Sequence, residues 1–204
     1  MLLYRYFGAD RALDFLRTLR LFFTSPKYFN DINELSPFVI KTFSQTEYLN
    51  HFITKDYLRP VFESWTNAGL FSGTLEQFMR RARTDPKVEQ EVHSRVAWAC
   101  TGLQKHFKDV MSEHTAVCCL SELPTSNLMW AHYADSHKGL CLAVDFVESN
   151  LKLVDIVKVD YRDEKVQIPP WFLDLTNEER NKYYSLISSR KGTEWSYEVE
   201  HRLV

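Results

Sequence analysis

The closing segment carries the strongest chemical signal in the chain. In Trp195-Ser196-Tyr197-Glu198-Val199-Glu200-His201-Arg202-Leu203, two carboxylates and a guanidinium recur at every second position. As a strand, it projects Glu198, Glu200 and Arg202 from one face and Val199, His201 and Leu203 from the other. Two readings stay open. One is a solvated face laced with cross-strand salt bridges. The other is a polar cleft in which Arg202 holds one carboxylate while the other does chemistry. A carboxyl beside a like-charged neighbour has a raised pKa unless the arginine offsets it.

Two further segments are richer in polar and aromatic groups than folding alone requires. Asn127 to Asp135 includes Trp130, His132 and Tyr133 and runs on through His137 and Lys138 to Gly139. It offers a stacking surface, a titratable ring and a hydroxyl. The plain alternative is that Trp130 and Tyr133 pack inward and His132 satisfies a backbone group. Gly139 would let the chain turn into the strand that follows. Phe29-Asn30-Asp31, with Glu34 close behind, reads either as a turn fixed by Asn and Asp side chains or as a loop lining a pocket.

The elements that must position these groups follow from periodicity. Leu2–Phe7 reads as a short strand. Asp10 is placed to cap a helix carrying Ala12, Leu13, Leu16 and Leu19. Leu21–Thr24 reads as a second short strand. A helical block follows, with Tyr57, Val61, Phe62 and Trp65 on one stripe. In it Thr74 and Gln77 have capping-box spacing, and Asp85-Pro86 opens a long helix. That helix carries Val88, Val92, Val96, Ala99, Leu103, Phe107 and Val110. Thr115–Ser121, Gly139–Phe146 and Leu153–Tyr161 read as strands. Thr176 and Glu179 have capping-box spacing before a helix with Tyr183, Leu186 and Ile187, and Trp195–Val204 reads as the last strand. Regular βαβ alternation is absent. The expected class is therefore α+β, with a mixed or mostly antiparallel sheet and a helical block inserted between the early and late strands.

The chain has 204 residues, enough for one sizeable core, and is expected to form a single domain over residues 1–204. Its net charge of −2 argues against a wholesale nucleic-acid or membrane-surface binder. Arg80, Arg81 and Arg83 form a basic cluster that reads as a solvated helix face or a local phosphate contact. Cys100, Cys118, Cys119 and Cys141 have neither zinc nor disulfide-framework spacing and read as reduced, buried, small hydrophobes. The opening apolar run is too short for a signal peptide, and no stretch approaches a membrane span. Cytoplasm is the expected location.

The motifs together resemble the bacterial domain-of-unknown-function family 2971. The resemblance rests on Leu3 to Tyr6, on Phe29 to Asp31 and on a Cys-Phe-Ser strand, which here reads Cys119-Leu120-Ser121. It rests also on Met129 to Gly139 and on Lys191, Trp195, Glu198, Glu200 and Arg202 at the end. Ile32 and Asn33 stand where the family pattern has Pro and Phe. Relatives of this kind continue past the closing stretch, so the resemblance implies a final strand beyond Val204. It further implies a link to phage-defence or toxin loci and a layout similar to an ADP-ribosyltransferase-type fold. In that layout Arg5 and Ser121 take the places that bind a nicotinamide dinucleotide (NAD), and Glu198 or Glu200 the place of the catalytic carboxylate. Trp130, His132 and Tyr133 form the pocket wall, with Asn30, Asp31 and Arg202 around it. NAD is then the substrate, the acceptor is open, and no metal is expected. Two other readings remain. One is a metal-dependent hydrolase or nuclease using Asp31, His132, Glu198 and Glu200 with a divalent ion. The other is a non-catalytic sensor or binding module whose charges form a structural ion-pair network.

Overall fold

The computed structural model describes residues 1–31, 34–146 and 156–204. In chain order its elements are β1 (Leu2–Phe7), α1 (Ala9–Thr18), β2 (Phe38–Val39), α2 (Gln45–Glu47), α3 (Lys55–Asn67), α4 (Leu75–Ala82), α5 (Pro86–Glu113) and β3 (Cys118–Ser121). There follow α6 (Asn127–Tyr133), β4 (Leu140–Asp145), β5 (Ile156–Lys158), β6 (Asp160–Tyr161), β7 (Gln167–Ile168), α7 (Asn177–Ser189), β8 (Arg190–Lys191) and β9 (Glu200–Leu203). The chain divides into two units. The first comprises Met1–Pro37, Phe107–Val166 and Asn177–Val204, and the second Phe38–His106 and Gln167–Thr176. The α+β class holds, with a mainly antiparallel sheet in the first unit and the helical block in the second.

The first unit is built on a five-stranded sheet of order β4-β1-β3-β9-β5. Every neighbouring pair in it is antiparallel. β-branched, aromatic and apolar residues dominate these strands, as a pleated, half-buried surface favours. Leu3, Cys118, Leu120 and Leu203 pack together on one face. On the other, Tyr6 packs with Met129 and Ala134, which brings α6 against β1. A short parallel pair, β6-β8, completes this unit and places Lys191 beside Tyr161.

The second unit holds α2 to α4, most of α5 and the parallel pair β2-β7. Its helices start where side chains can satisfy the free backbone donors. Thr54 accepts from the Tyr57 amide at 3.3 Å, and Thr74 and Gln77 form the expected capping box. Asp85 accepts from the Lys87 amide at 2.9 Å just ahead of Pro86. Leu58, Val61, Phe78, Val88, Val92 and Val96 are buried.

Several expectations are corrected. The buried stripe of α5 runs through Cys100 and Met111, whereas Ala99 is exposed and Val110 only half-buried. Leu21–Thr24 is not a strand: only Thr24 pairs, in a single bridge to Val117. Gly8 is the N-cap of α1, and Asp10 lies within its first turn, where a negative charge suits the helix dipole. The closing strand is shorter than the period-two pattern implies. Thr193–Glu198 is a 3₁₀ helix, and the strand begins only at Glu200. Between them Val199 has φ 43°, a left-handed conformation unusual for a β-branched residue, and it breaks the alternation. Of the segment expected as a strand over Leu153–Tyr161, residues 153–155 lie outside the described residues, as do Ile32 and Asn33. The remainder forms β5 and β6. Among the described residues no helix is long and apolar enough to cross a membrane.

Candidate functional site

The central sheet opens between two of its own strands. β1 is registered to β4 through six pairs, from Leu2↔Asp145 to Phe7↔Leu140. To β3 it is registered at one pair only, Tyr4↔Ser121. Beyond that pair the ladder stops, and backbone groups on the facing edges need other partners. The Arg5 guanidinium supplies one by donating to the Cys119 carbonyl. A cavity of about 480 Å³ lies here, lined by both strands, α1, the Phe22–Asp31 segment, α6 and the closing segment. That volume lies within the usual range of small-molecule sites.

Behind the cavity sits a buried ion cluster. Lys191 Nζ lies 2.5 Å from Glu198 Oε2, 2.9 Å from Glu200 Oε2 and 3.7 Å from Glu34 Oε1. Arg202 donates through Nε to Glu200 at 3.0 Å, through a terminal nitrogen to Glu34, and through the other to the Ser188 carbonyl at 2.8 Å. All five side chains are almost wholly buried, and Arg202 is completely so. Tyr133 Oη donates to Glu198 Oε1 at 2.5 Å. The Glu200 amide donates to Tyr161 Oη at 2.8 Å. Three carboxylates therefore face two cations, leaving one negative charge in excess if all are ionised.

The surroundings separate the carboxyls. Burial pushes Glu34 up to about 7 against the opposing pull of Arg202 and Lys191. Burial also raises Glu198, although Lys191 and Tyr133 hold it partly back. For Glu200 burial acts the same way, but Arg202 and Lys191 outweigh it and hold the carboxyl at about 2. Lys191 is itself raised, since its three glutamates overcome the cost of its burial. Glu200 is thus held as an anion, whereas Glu34 and Glu198, which both line the cavity, are the carboxyls raised by burial.

Arg5, Ser121, His132, Tyr133, Glu198, Glu200, Asn30 and Asp31 all line the one cavity. They do not arrive there as a single strand face. The β3 and β9 registers set Ser121 opposite Glu200 and Cys119 opposite Arg202. Arg5 alternates with Tyr4 and reaches the opening through the gap beside β3. Glu198 arrives on a 3₁₀ helix. Its carbonyl accepts a 2.5 Å hydrogen bond from Ser121 Oγ, which in turn accepts from the Leu123 amide at 3.0 Å. The Ser121 hydroxyl therefore fixes the backbone of Glu198. His132 is exposed, with its ring 6.1 Å from that of Tyr197. Trp130 stands outside the lining: its ring meets Tyr6 edge-on at 5.5 Å, and its indole donates to the Pro124 carbonyl at 3.1 Å. Arg202 lies beneath the cavity as the partner of Glu200 and Glu34.

Sequence reasoning left Glu34, Lys191, Tyr161 and Trp195 off the list of site residues. Lys191 and Trp195 belong to the closing family pattern, and that was their only signal. Trp195 lies over Lys191 with 5.1 Å from Nζ to the ring centroid. Lys191 Nζ occupies the space between Glu198 and Glu200 where a shared divalent ion would sit. Among the described residues no group of three or more His, Cys, Asp or Glu side chains is placed to hold a metal. The four cysteines are unpaired; Cys100 and Cys118 are buried, and Cys119 and Cys141 are partly so.

Residues 129–203 match the model of a family described as protein of unknown function, DUF2971. The match bears out the resemblance for the motifs from Met129 onward, and it takes in most of α6, the ion cluster other than Glu34, and β9. No curated protein and no solved structure matches the chain.

Proposed function

We propose that the cavity binds a nicotinamide dinucleotide and that the chain acts as an ADP-ribosyltransferase-like enzyme. The observation that carries this reading is the convergence of Arg5, Ser121 and Glu198 on one cavity from three separate parts of the chain. Tyr133 and Trp195 line the same space and offer ring faces to a planar group. In the proposed step the bond between the ribose anomeric carbon and nicotinamide breaks, and its electron pair leaves with nicotinamide. The Glu198 carboxylate then faces an oxocarbenium-like carbon and stabilises its positive charge. The acceptor nucleophile forms the new bond to the anomeric carbon and loses its proton to solvent. Lys191 and Tyr133 hold Glu198 in place.

The test is nicotinamide release, with binding followed by calorimetry. The wild type should bind the dinucleotide and release nicotinamide slowly. Glu198→Gln should keep the binding and lose at least about a hundredfold in rate, the usual scale for removing an electrostatic stabiliser. Absence of binding at millimolar dinucleotide, or unchanged release by the variant, would refute the reading.

One observation favours a second reading. Glu198 and Glu200 are both engaged by buried cations, as in a structural network of a sensor or binding module. That reading expects ligand binding with no nicotinamide release, and loss of stability in both single Gln variants.

A further inference from the structure

The cavity has a second chemical character, away from the ion cluster. Its lining from α1 and the following segment includes Arg11, Phe22, Phe23 and Tyr28. Arg11 lies in the first turn of α1 with its guanidinium carbon 5.0 Å from the Phe22 ring centroid. Arg5 extends this cationic lining. Its Nε is buried without a hydrogen-bond partner, and only one of its nitrogens is used, on the Cys119 carbonyl. Among the described residues neither arginine forms an ion pair, whereas Lys191 is paired with Glu34, Glu198 and Glu200. Two of the rings are largely accessible: Tyr28 is 70% exposed, with Lys27 Nζ 5.0 Å from its ring centroid, and Phe23 is 40% exposed.

Guanidiniums outside any ion pair, beside exposed aromatic rings, match a ligand that carries phosphate next to a planar base. Arginine binds phosphate through two parallel N–H donors, and a heteroaromatic ring stacks on tyrosine or phenylalanine. We propose that Arg11, with Tyr28 and Phe22, forms a subsite for a phosphate and the adjoining base of a nucleotide. This rests on the reading of the cavity as a dinucleotide site, but not on the transfer chemistry. It names Arg11 as a specificity residue that selects phosphorylated ligands over the bare nucleoside.

Calorimetry on the intact chain tests it with three probes: ADP, adenosine and inorganic pyrophosphate. Arg11→Gln should weaken ADP and pyrophosphate by about tenfold or more and leave adenosine unchanged, as expected for loss of one charge-assisted contact. Tyr28→Ala should weaken ADP and adenosine alike and spare pyrophosphate. Arg17→Gln, which removes a charge from the far end of the same helix, should change none of them. Thermal melts check that the variants are folded, and Arg11→Lys gives a version that keeps the charge but loses the fork. Equal weakening by Arg11→Gln and Arg17→Gln would reduce the effect to general charge and overturn the subsite. So would a wild type that fails to bind ADP at millimolar concentration. ADP binding in the expected pattern without nicotinamide release would remove the transferase reading and leave the subsite standing. Nicotinamide release by Arg11→Gln with an unchanged KM would do the reverse.

Discussion

Glu198 and Glu200 carry the same group and differ only in what surrounds them. Two cations hold Glu200 ionised, whereas Glu198 has one cation and a tyrosine hydroxyl, and burial raises it. The Tyr133 hydrogen bond favours the charged form of Glu198, so removing it should raise that carboxyl further. If ionised Glu198 is the working form, Tyr133→Phe should move the acid limb of the pH–rate profile to higher pH while the alkaline limb stays put. An unshifted acid limb would mean that Glu198 is not the group titrating in the reaction. The glutamates, Arg202 and His132 were legible in the sequence because each stands in a dense polar motif. Glu34 was not legible as their partner. Its contact with Arg202 spans 168 positions, and no local pattern encodes a pairing of that range. Arg11 escaped for a related reason: on its own helix it is one polar residue on an exposed face.

At the level of elements, the site depends on how β1 is held between β4 and β3. Gly139 precedes β4 and was expected to permit a turn. The turn is made instead by Asp135, Ser136 and His137, all with positive φ. The glycine serves close approach. A Cβ there would lie 1.9 Å from the Phe7 carbonyl oxygen and 2.9 Å from the Ala134 Cα, both backbone atoms that cannot rotate away. Gly139→Ala should therefore displace the end of β1 from α6 and cost about 1–3 kcal/mol, the usual range for overpacking. Urea denaturation measures the loss, and a variant as stable as the wild type would show that the contact is easily relieved. The same level explains why the closing strand was overread. Alternating residue types describe a strand only while φ and ψ stay extended, and Val199 leaves that region. The pattern still brought Glu198 to Glu200 because the 3₁₀ turn returns its side chain to Lys191.

For the molecule as a whole, strands and helices with strong periodicity were legible, as were two N-terminal caps of the helical block. The two-stranded parallel pairs were not, since a two-residue strand has no period to detect. The buried cluster adds a property that no single segment has, because Glu34 is brought from the early part of the chain to Lys191, Glu198, Glu200 and Arg202 in the closing part. With one carboxyl in excess, a proton on Glu34 makes the cluster neutral. Its carboxyl is raised from 4.5 to about 7, so the folded state keeps a proton that the unfolded chain releases. The stability from that proton is fully present below about 4.5 and is lost as pH rises through about 7. Glu200 works in the opposite sense. Its carboxyl is lowered from 4.5 to about 2, so its contribution is complete above 4.5 and is lost as pH falls toward 2. The two windows do not overlap, which lets them be read separately. Between about pH 5 and about pH 8 the denaturant midpoint of the wild type should fall, with Glu198 adding to the slope in the same direction. Glu34→Gln removes the titrating group but keeps an acceptor for Arg202, and should flatten this fall while leaving the loss below about pH 4 in place. Equal slopes for wild type and variant across the neutral window would mean that Glu34 stays ionised in the fold and that the cluster carries its excess charge.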